Sequence, residues 1–371
     1  MGKSFENSYY SEIKKLSLSK KAVKAVRKTI KIVYTPVHGS GYVPVTTILK
    51  KLKISVSVVE EQTTPDPDFP TVEVPNPEFK ETLSKGIALA EKTGADVVFG
   101  TDPDCDRLGV AVKTTAGDFI ALTGNQTGIL LLDYILLRLK AAGKTPKNGV
   151  GIKSFVSAGL AGPICDTYGV ELVETPVGFK FIGEKIKEYE KDRSKTFIFG
   201  FEESCGYLRG THARDKDAVV ASMLFAEMTC YYKSIKKTVY ERLEELYSIY
   251  GYVLDAADSF KYSGITAMAE MNAAVNGMRE KKIESIGIYT VSAVRDYLSG
   301  KRISEEGEEV LPINGVNCLY YELLNGGFVC LRPSGTEPKL KIYYSVKAKD
   351  KERAEVALED IKKNFNALLN G

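Results

Sequence analysis

The sequence has few of the residues that build zinc sites. Only two of its 371 residues are histidines, His38 and His212, and no two of its six cysteines form a Cys-x-x-Cys pair. Zinc sites are built mainly from nitrogen and sulfur ligands, so a zinc site and a dithiol redox site are both disfavoured. Cysteines this scattered are typical of a reduced, intracellular protein. A metal site in this chain would therefore use oxygen ligands.

Long apolar runs and a strong excess of charge are also missing. The longest apolar stretch, near residues 129–137, is interrupted by Asp133 and is shorter than the roughly 20 residues that span a bilayer. The first residues lack the apolar core of a signal peptide, so we expect a cytoplasmic protein with no membrane partner. Lys and Arg total 51 against 48 Asp and Glu. This balance gives no reason to expect nucleic acid as a partner, and any anion site must be local.

The length and the order of the patterns predict several domains. A chain of 371 residues is too long for one compact core. Short β-branched runs alternate with amphipathic stretches twice, which is typical of parallel βαβ units, and consecutive strands follow. We therefore predict two similar mixed α/β domains and a smaller α+β C-terminal domain. The predicted segments are a connector helix in residues 1–30, α/β domains in 31–143 and 144–255, and the α+β domain in 256–371.

Three aspartates follow a predicted buried strand at residues 96–99. Asp102, Asp104 and Asp106 alternate with Pro103 and Cys105, and Arg107 comes next. In open α/β sheets, ligands bind where loops leave the carboxyl ends of strands. Carboxylates this close repel one another, and Mg²⁺ would neutralise them. The alternatives are a solvated acidic turn and a haloacid-dehalogenase-type phosphatase, which would use the first aspartate as a nucleophile.

A second loop follows the predicted strand at residues 327–331. It contains Arg332, Ser334, Gly335 and Thr336. A guanidinium group presents a planar fork to phosphate oxygens, hydroxyls add donors, and glycine lets the backbone approach closely. This composition predicts a phosphate clamp, and the alternative is a turn that carries these residues by chance.

Two weaker clusters follow another predicted strand, at residues 196–199. Glu202, Glu203 and Ser204 suit hydrogen bonding to vicinal sugar hydroxyls. Residues 212–217 then concentrate charge of both signs before a predicted helix. The alternative for that stretch is a surface turn in which Asp215 caps the helix.

Taken together, these loops resemble the α-D-phosphohexomutase family, the phosphoglucomutases and phosphomannomutases. The matching segments occur in the family's order, and they are residues 35–41, 102–107, 175–180, 202–204 and 332–336. The resemblance extends from about residue 31 to the end of the chain. It implies the family's second to fourth domains and an enzyme that interconverts hexose 1- and 6-phosphates through phosphoserine and a bisphosphate intermediate.

The resemblance also implies roles for single residues. Asp102, Asp104 and Asp106 would hold Mg²⁺, while Arg107 and Lys216 would stabilise charge and transfer a proton. The remaining implied residues would bind the hexose phosphate, and they are Gly178, Phe179, Lys180, Glu202, Ser204, Arg332, Ser334, Gly335 and Thr336. Glucose 1,6-bisphosphate is the implied activator.

One departure from the family pattern concerns the nucleophile. Family members carry a Ser-His-Asn-Pro loop in a first domain, whereas His38 is followed here by Gly39 and His212 by Ala213. Ser40 lies in a Gly-Ser-Gly turn and is not expected to replace the missing serine. We therefore expect an incomplete mutase that needs the N-terminal catalytic domain as a partner. The alternative is a non-catalytic sugar-phosphate-binding or regulatory protein.

Overall fold

A computed structural model describes residues 2–335 and 337–370. The chain divides into two compact units, one ending at Glu245 and the other beginning at Leu246. The strands of both α/β series predicted from the sequence fall in the first unit. The predicted boundaries at residues 143/144 and 255/256 remain predictions.

The first unit begins with two helices where the sequence predicted one, and these are α1 (Lys3–Lys15) and α2 (Lys20–Val26). The predicted connector helix is thus wrong in its continuity. The chain bends between the two helices because Leu18 donates its N–H to Oε1 of Glu227 at 2.7 Å, and Ser17 donates its hydroxyl to the same carboxylate. Glu227 is completely buried. The end of α1 is therefore set by a side chain that is distant in sequence. The periodicity of apolar residues along a helix cannot predict such a contact.

The first sheet has the strand order β2-β1-β3-β4-β5. Its strands are β1 (Ile32–Thr35), β2 (Val56–Val58), β3 (Val97–Thr101), β4 (Leu108–Lys113) and β5 (Phe119–Leu122). The helices of this segment are α3 (Tyr42–Lys51), α4 (Ser84–Thr93) and α5 (Gly124–Ala141), with 3₁₀ turns at Glu60–Gln62 and Lys80–Leu83. β1 pairs in parallel with β2 and β3, whereas β4 and β5 are antiparallel.

The second sheet repeats this plan with the order β7-β6-β8-β9. Its strands are β6 (Gly149–Ser154), β7 (Glu171–Thr175), β8 (Thr196–Glu202) and β9 (Gly206–Leu208). The accompanying helices are α6 (Ala161–Tyr168), α7 (Phe179–Asp192), α8 (Ala218–Ser234) and α9 (Val239–Tyr250). Again the first three strands are parallel and the last is antiparallel. The prediction of two similar mixed α/β domains is confirmed.

The sequence analysis missed β4, β5 and α5. Helix α5 begins with a capping box, in which the Thr123 hydroxyl accepts from the Gln126 N–H at 3.1 Å and the Gln126 side chain accepts from the Thr123 N–H at 2.9 Å. Most of its residues are buried on every face. A helix that is apolar all round lacks the one-sided pattern that identifies an amphipathic helix.

The second unit is an antiparallel sheet covered by helices, with the strand order β10-β17-β16-β15-β12-β13-β14 and β11 paired to β12. Its elements are β10 (Tyr252–Lys261), α10 (Ala267–Glu280), β11 (Ser285–Ile286), β12 (Tyr289–Asp296), β13 (Lys301–Ser304), β14 (Gly307–Val310), β15 (Leu319–Leu323), β16 (Phe328–Pro333), β17 (Lys339–Ala348) and α11 (Lys351–Asn370). Met271 and Val275 of α10, Leu331 and Ile342 of the sheet, and Phe365 of α11 share one core. The predicted α+β C-terminal domain is confirmed.

Two predictions about the whole sequence can be compared with the structure. All six cysteines are buried, and no disulfide joins any of them among the described residues. Within those same ranges, every helix is too short or too polar to cross a bilayer.

Candidate functional site

The three aspartates of the first sheet lie in one tight loop between β3 and β4. Oδ1 of Asp102 accepts hydrogen bonds from the backbone N–H groups of Asp106 at 3.1 Å and Arg107 at 2.9 Å, so this carboxylate closes the loop. Cys105 has a positive φ of 62°, which turns the chain between the last two aspartates. Asp102, Asp104 and Asp106 can each point one oxygen to within 4.8 Å of the others. The loop predicted from the sequence therefore brings all three carboxylates together.

The negative charges of this loop are compensated only in part, by Arg107 and Lys216. Burial, together with the neighbouring carboxylates of Asp106 and Asp104, raises the pKa of Asp102 to about 7, although the Arg107 N–H bond acts in the opposite direction. Oδ1 of Asp106 is buried and accepts no hydrogen bond from any described residue. The guanidinium Nε of Arg107 is 3.6 Å from Asp102 and 3.7 Å from Asp106. Three carboxylates lie together here; Oδ1 of Asp106 accepts no hydrogen bond within the described part of the chain, and Asp102 has a raised pKa. Such a cluster of oxygen ligands fits a hard divalent cation.

Gly39 and Ser40, just before α3, contact the aspartate loop at Pro103. The Ser40 backbone N–H and hydroxyl both donate to the carbonyl oxygen of Pro103, at 2.7 and 3.0 Å. A Cβ atom at Gly39 would lie 2.4 Å from Cα of Pro103, so no larger residue fits there without a shift of the loop. Ser40 is thus a structural neighbour of the candidate metal loop.

Backbone hydrogen bonds connect the metal loop to the second sheet. The Leu108 N–H donates to the carbonyl oxygen of Cys205 at 3.0 Å, and Arg107 forms an antiparallel bridge with Gly206. The Ala218 N–H, at the start of α8, donates to the carbonyl oxygen of Cys105 at 3.2 Å. The aspartates and the Glu202–Ser204 loop are therefore held side by side.

Lys216 lies at this junction. Its Nζ is 2.9 Å from Oδ2 of Asp106 and 2.9 Å from Oδ1 of Asp215, and it sits 5.7 Å from the ring centroid of Phe179. Burial lowers the pKa of Lys216, but the hydrogen bonds to Asp215 and Asp106 outweigh it and leave the pKa above its ordinary value. The ammonium group is thus charged at neutral pH and directly linked to the metal loop.

Glu202 is the last residue of β8, so the strand extends three residues beyond the predicted end. It is 4% exposed, and its Oε1 accepts the Gly178 N–H at 2.6 Å. Gly178 has φ = 123°, in the region that favours glycine, and precedes α7. Burial and the neighbouring Glu203 raise the pKa of Glu202 to about 7, whereas the Gly178 N–H and Lys216 oppose that rise.

Glu203 is held by residues that the sequence analysis missed. Its Oε2 accepts the hydroxyls of Ser154 at 2.9 Å and Ser157 at 3.0 Å, and its N–H donates to Oγ of Ser157 at 3.1 Å. Ser154 is the last residue of β6. The signal was present, since polar side chains at the carboxyl end of a parallel strand are candidates for a site. Glu203 is thereby fixed, while Ser204 beside it is half-exposed.

Phe179 and Lys180, the first two residues of α7, differ in exposure. Phe179 is buried beneath Lys216, while Lys180 is exposed with its Nζ 4.9 Å from the Phe181 ring. Asp217 caps α8, accepting the Val219 and Val220 N–H groups, so Asp215 is not the cap. Asp215 binds Lys216 instead.

The predicted phosphate loop lies in the second unit, between β16 and β17. Arg332 is half-buried and pairs with Lys341 in the antiparallel register. The Ser334 N–H donates to the carbonyl oxygen of Lys339 at 2.8 Å, which closes the turn. A Cβ at Gly335 would meet open space. Thr336 lies outside the described residues.

Three sequence models of one family match this chain. They are the phosphoglucomutase/phosphomannomutase alpha/beta/alpha domain II at residues 7–117, alpha/beta/alpha domain III at residues 123–250 and the C-terminal domain at residues 268–363. The chain belongs to this family. A phosphoglucomutase of Staphylococcus aureus (strain USA300) is 32% identical over 345 residues, covering 92% of this chain and 60% of the relative. The chain thus spans about three fifths of the length of that relative.

Solved structures of the family share the fold. The phosphoglucomutase pp63/parafusin from Paramecium, in an open form, matches with a TM-score of 0.70 and 16% identity, covering 98% of this chain and 62% of that protein. The N-acetylphosphoglucosamine mutase of Aspergillus fumigatus, solved with GlcNAc-6P and magnesium, matches with a TM-score of 0.53 and 14% identity, covering 98% and 70%. At these identities the likeness concerns the fold alone.

The raised pKa of Glu202 predicts that the free energy of unfolding changes with pH. The folded state holds the Glu202 proton up to about pH 7, whereas the unfolded state releases it near 4.5. The folded state therefore binds more protons between these values, and this group's contribution to stability declines as pH rises through them. Glu202→Gln keeps an acceptor for the Gly178 N–H and removes the charge. We expect it to gain about 1 to 3 kcal/mol relative to wild type between pH 5 and pH 8.

Thermal unfolding of the metal-free chain from pH 5 to pH 8 measures this difference. The matched control is Glu184→Gln, which removes an exposed carboxylate from α7. Glu202→Gln should separate from wild type as pH rises, while Glu184→Gln should run parallel to it. Parallel curves for both variants would contradict the assignment.

Proposed function

We propose that these 371 residues provide the metal-, sugar- and phosphate-binding loops of a hexose-phosphate mutase of the phosphoglucomutase/phosphomannomutase type. The observation that carries the proposal is the junction of the two α/β sheets, where Lys216 bonds to Asp106 beside Glu202 and the other aspartates. Family membership and the phosphoglucomutase relative at 32% identity support the same activity.

Asp102, Asp104 and Asp106 are the proposed Mg²⁺ ligands. The orphaned Oδ1 of Asp106 and the close approach of the three carboxylates support this role, as does the magnesium in the Aspergillus fumigatus enzyme. When bound, Mg²⁺ would supply positive charge that stabilises the phosphoryl group in transit. Pro103 and Ser40 keep the loop rigid, so the ligands are positioned before the ion arrives.

The substrate would be held at two places. Glu202 and Ser204 would bind sugar hydroxyls, with Gly178, Phe179 and Lys180 forming the adjacent wall. Arg332, Ser334, Gly335 and Thr336 would hold the phosphate that does not react. Ser154 and Ser157 engage Glu203, so that carboxylate is not assigned to the sugar. Oε1 of Glu202 accepts the Gly178 N–H, and no hydrogen bond from a described residue is assigned to its Oε2, which is the proposed acceptor for a sugar hydroxyl.

Arg107 and Lys216 are the proposed charge-stabilising and proton-transferring groups. The raised pKa of Lys216 favours the role of proton donor over that of base. The 371 residues contain no Ser-His-Asn-Pro segment. We therefore infer that the phosphoryl-carrying serine is supplied by residues other than these, with glucose 1,6-bisphosphate as the activator.

The metal site can be tested by calorimetry. Asp104 is exposed, so Asp104→Ala should fold normally while losing one of the three proposed ligands. We expect Mg²⁺ affinity to fall at least tenfold in this variant. Asp166→Ala, which removes an exposed carboxylate from α6, should titrate like wild type. Superimposable Mg²⁺ titrations for Asp104→Ala and wild type would rule out the site.

The phosphate loop makes a separate prediction. Arg332→Ala removes the proposed planar donor and should weaken glucose 6-phosphate binding by about 1.5 to 3 kcal/mol, the range for a charge-assisted hydrogen bond. Arg353→Ala, an exposed arginine on α11, is the matched control. Equal affinities in the two variants, measured by calorimetry, would reject the assignment.

Conversion of glucose 1-phosphate to glucose 6-phosphate tests the activity itself. We expect no turnover by these residues alone and measurable turnover when a purified first domain of a family member, with the Ser-His-Asn-Pro loop, is added. A binding protein without catalytic function would show no turnover in either mixture. Conversion by the chain alone that requires glucose 1,6-bisphosphate and disappears in Ser40→Ala would make Ser40 the nucleophile, contrary to our proposal.

A further inference from the structure

A basic cavity lies at the opposite end of β3 from the metal loop. Its volume is about 240 Å³, and its lining includes Asp96, directly before β3, and Val112 to Thr114 at the end of β4. The end of α8 and the start of α9 complete the wall. Asp96 and Asp102 flank a five-residue strand, so about 20 Å separates the cavity from the aspartate loop.

Four lysines and one aspartate line this cavity. Asp96 binds Lys233 at 2.6 and 2.8 Å, and Glu245, outside the lining, binds Lys237. In the part of the chain that the structure describes, no carboxylate lies within ion-pair distance of Lys113 or Lys236. Lys113 and Lys236, both exposed, therefore line the cavity without an ion-pair partner among the described residues.

The backbone between α8 and α9 brings these charges together. Lys236 has φ = 60°, a left-handed conformation that a non-glycine residue adopts rarely. This turn reverses the chain after α8, so Lys233, Lys236 and Lys237 all reach the same cavity. The left-handed conformation of Lys236 thus brings three lysines to one cavity.

The hydroxyl groups of the lining differ in their bonding. Oγ1 of Thr229 donates to the carbonyl oxygen of Phe225 at 2.8 Å. Oγ1 of Thr114 is shielded from solvent and has no hydrogen-bond partner among the described residues. The donors that the cavity offers to an anion are therefore the ammonium groups of its lysines.

We propose that this cavity is a second anion site, which binds a phosphate group through Lys113 and Lys236. A phosphate dianion accepts several hydrogen bonds at once and matches two unpaired ammonium groups. The volume is below the 300 Å³ or more typical of drug-sized ligand pockets, so the ligand is inorganic phosphate or a small phosphate ester. The site is independent of the proposed mutase function, because it contains none of the residues assigned to that function.

The experiment uses the 371-residue chain with Arg332→Ala, so that phosphate binding to the other loop is weakened. Inorganic phosphate is titrated at low ionic strength, and the backbone amide signals of Thr114 and Lys236 are followed by NMR. We expect saturable shifts at these two residues and a tenfold or greater loss of affinity in Lys113→Gln/Lys236→Gln. Thr114→Val, which leaves both ammonium groups in place, should keep the affinity within twofold.

Lys144→Gln/Lys147→Gln, which removes the same charge from exposed positions elsewhere, is the matched control and should keep the affinity within twofold. Titration with glucose 1-phosphate in the same background then separates the two ligand sources, since a tighter ester indicates that the cavity also accommodates a sugar. Absence of saturable shifts, or an equal loss in both double variants, would overturn the proposal. Because Arg332 is already replaced, neither result bears on the mutase assignment.

Discussion

The hydrogen bonds that cross between the two α/β sheets hold the candidate site together. Leu108 bonds to Cys205 and Ala218 bonds to Cys105, so each loop closes on the backbone of the other sheet. Backbone hydrogen bonds allow the two segments little lateral movement, so the side chains on those segments are held at defined positions. The separation between the aspartates and Glu202 is therefore set by main-chain geometry rather than by flexible side chains.

Close packing at this junction requires residues without a Cβ. A Cβ at Gly124 would lie 1.9 Å from the carbonyl oxygen of Glu203, and one at Gly206 would lie 2.2 Å from Cδ of Lys216. Both approaches are far below ordinary contact distance. Cys105 and Cys205, one in each loop, share φ = 62°, so the two sheets use the same local turn to meet.

The sequence predicted the candidate site best where charged side chains directly follow a predicted strand. Asp102, Asp104 and Asp106 were predicted as a cluster because three carboxylates in one short loop can only lie close together, and the structure brings them together. The parallel strands β1, β3, β6 and β8 were found because buried β-branched runs are easily recognised.

The remaining elements and contacts depend on tertiary partners. Helix α5 is buried on every side and has no amphipathic pattern, and the break between α1 and α2 depends on Glu227, more than 200 residues away. Ser154 and Ser157 contact Glu203 only after β6 and β8 have paired. Such long-range contacts cannot be inferred from local periodicity.

The carboxylate of Glu227 also bears on where an independently folding piece of this protein could begin. Glu227 is fully buried, and two of its donors, Ser17 and Leu18, precede the first strand, while Tyr134 supplies the third at 2.9 Å. A fragment that started at β1 would remove two of these three hydrogen-bond donors and leave Tyr134, with the Arg209 guanidinium as the nearby opposite charge. A buried charge that loses its partners is strongly destabilising. The segment between α1 and α2 precedes the first sheet in the chain, yet the buried carboxylate to which it donates belongs to α8, which follows the second sheet. A piece of the chain that keeps all three donors to this carboxylate must therefore extend from Ser17 to α8, and so include both sheets.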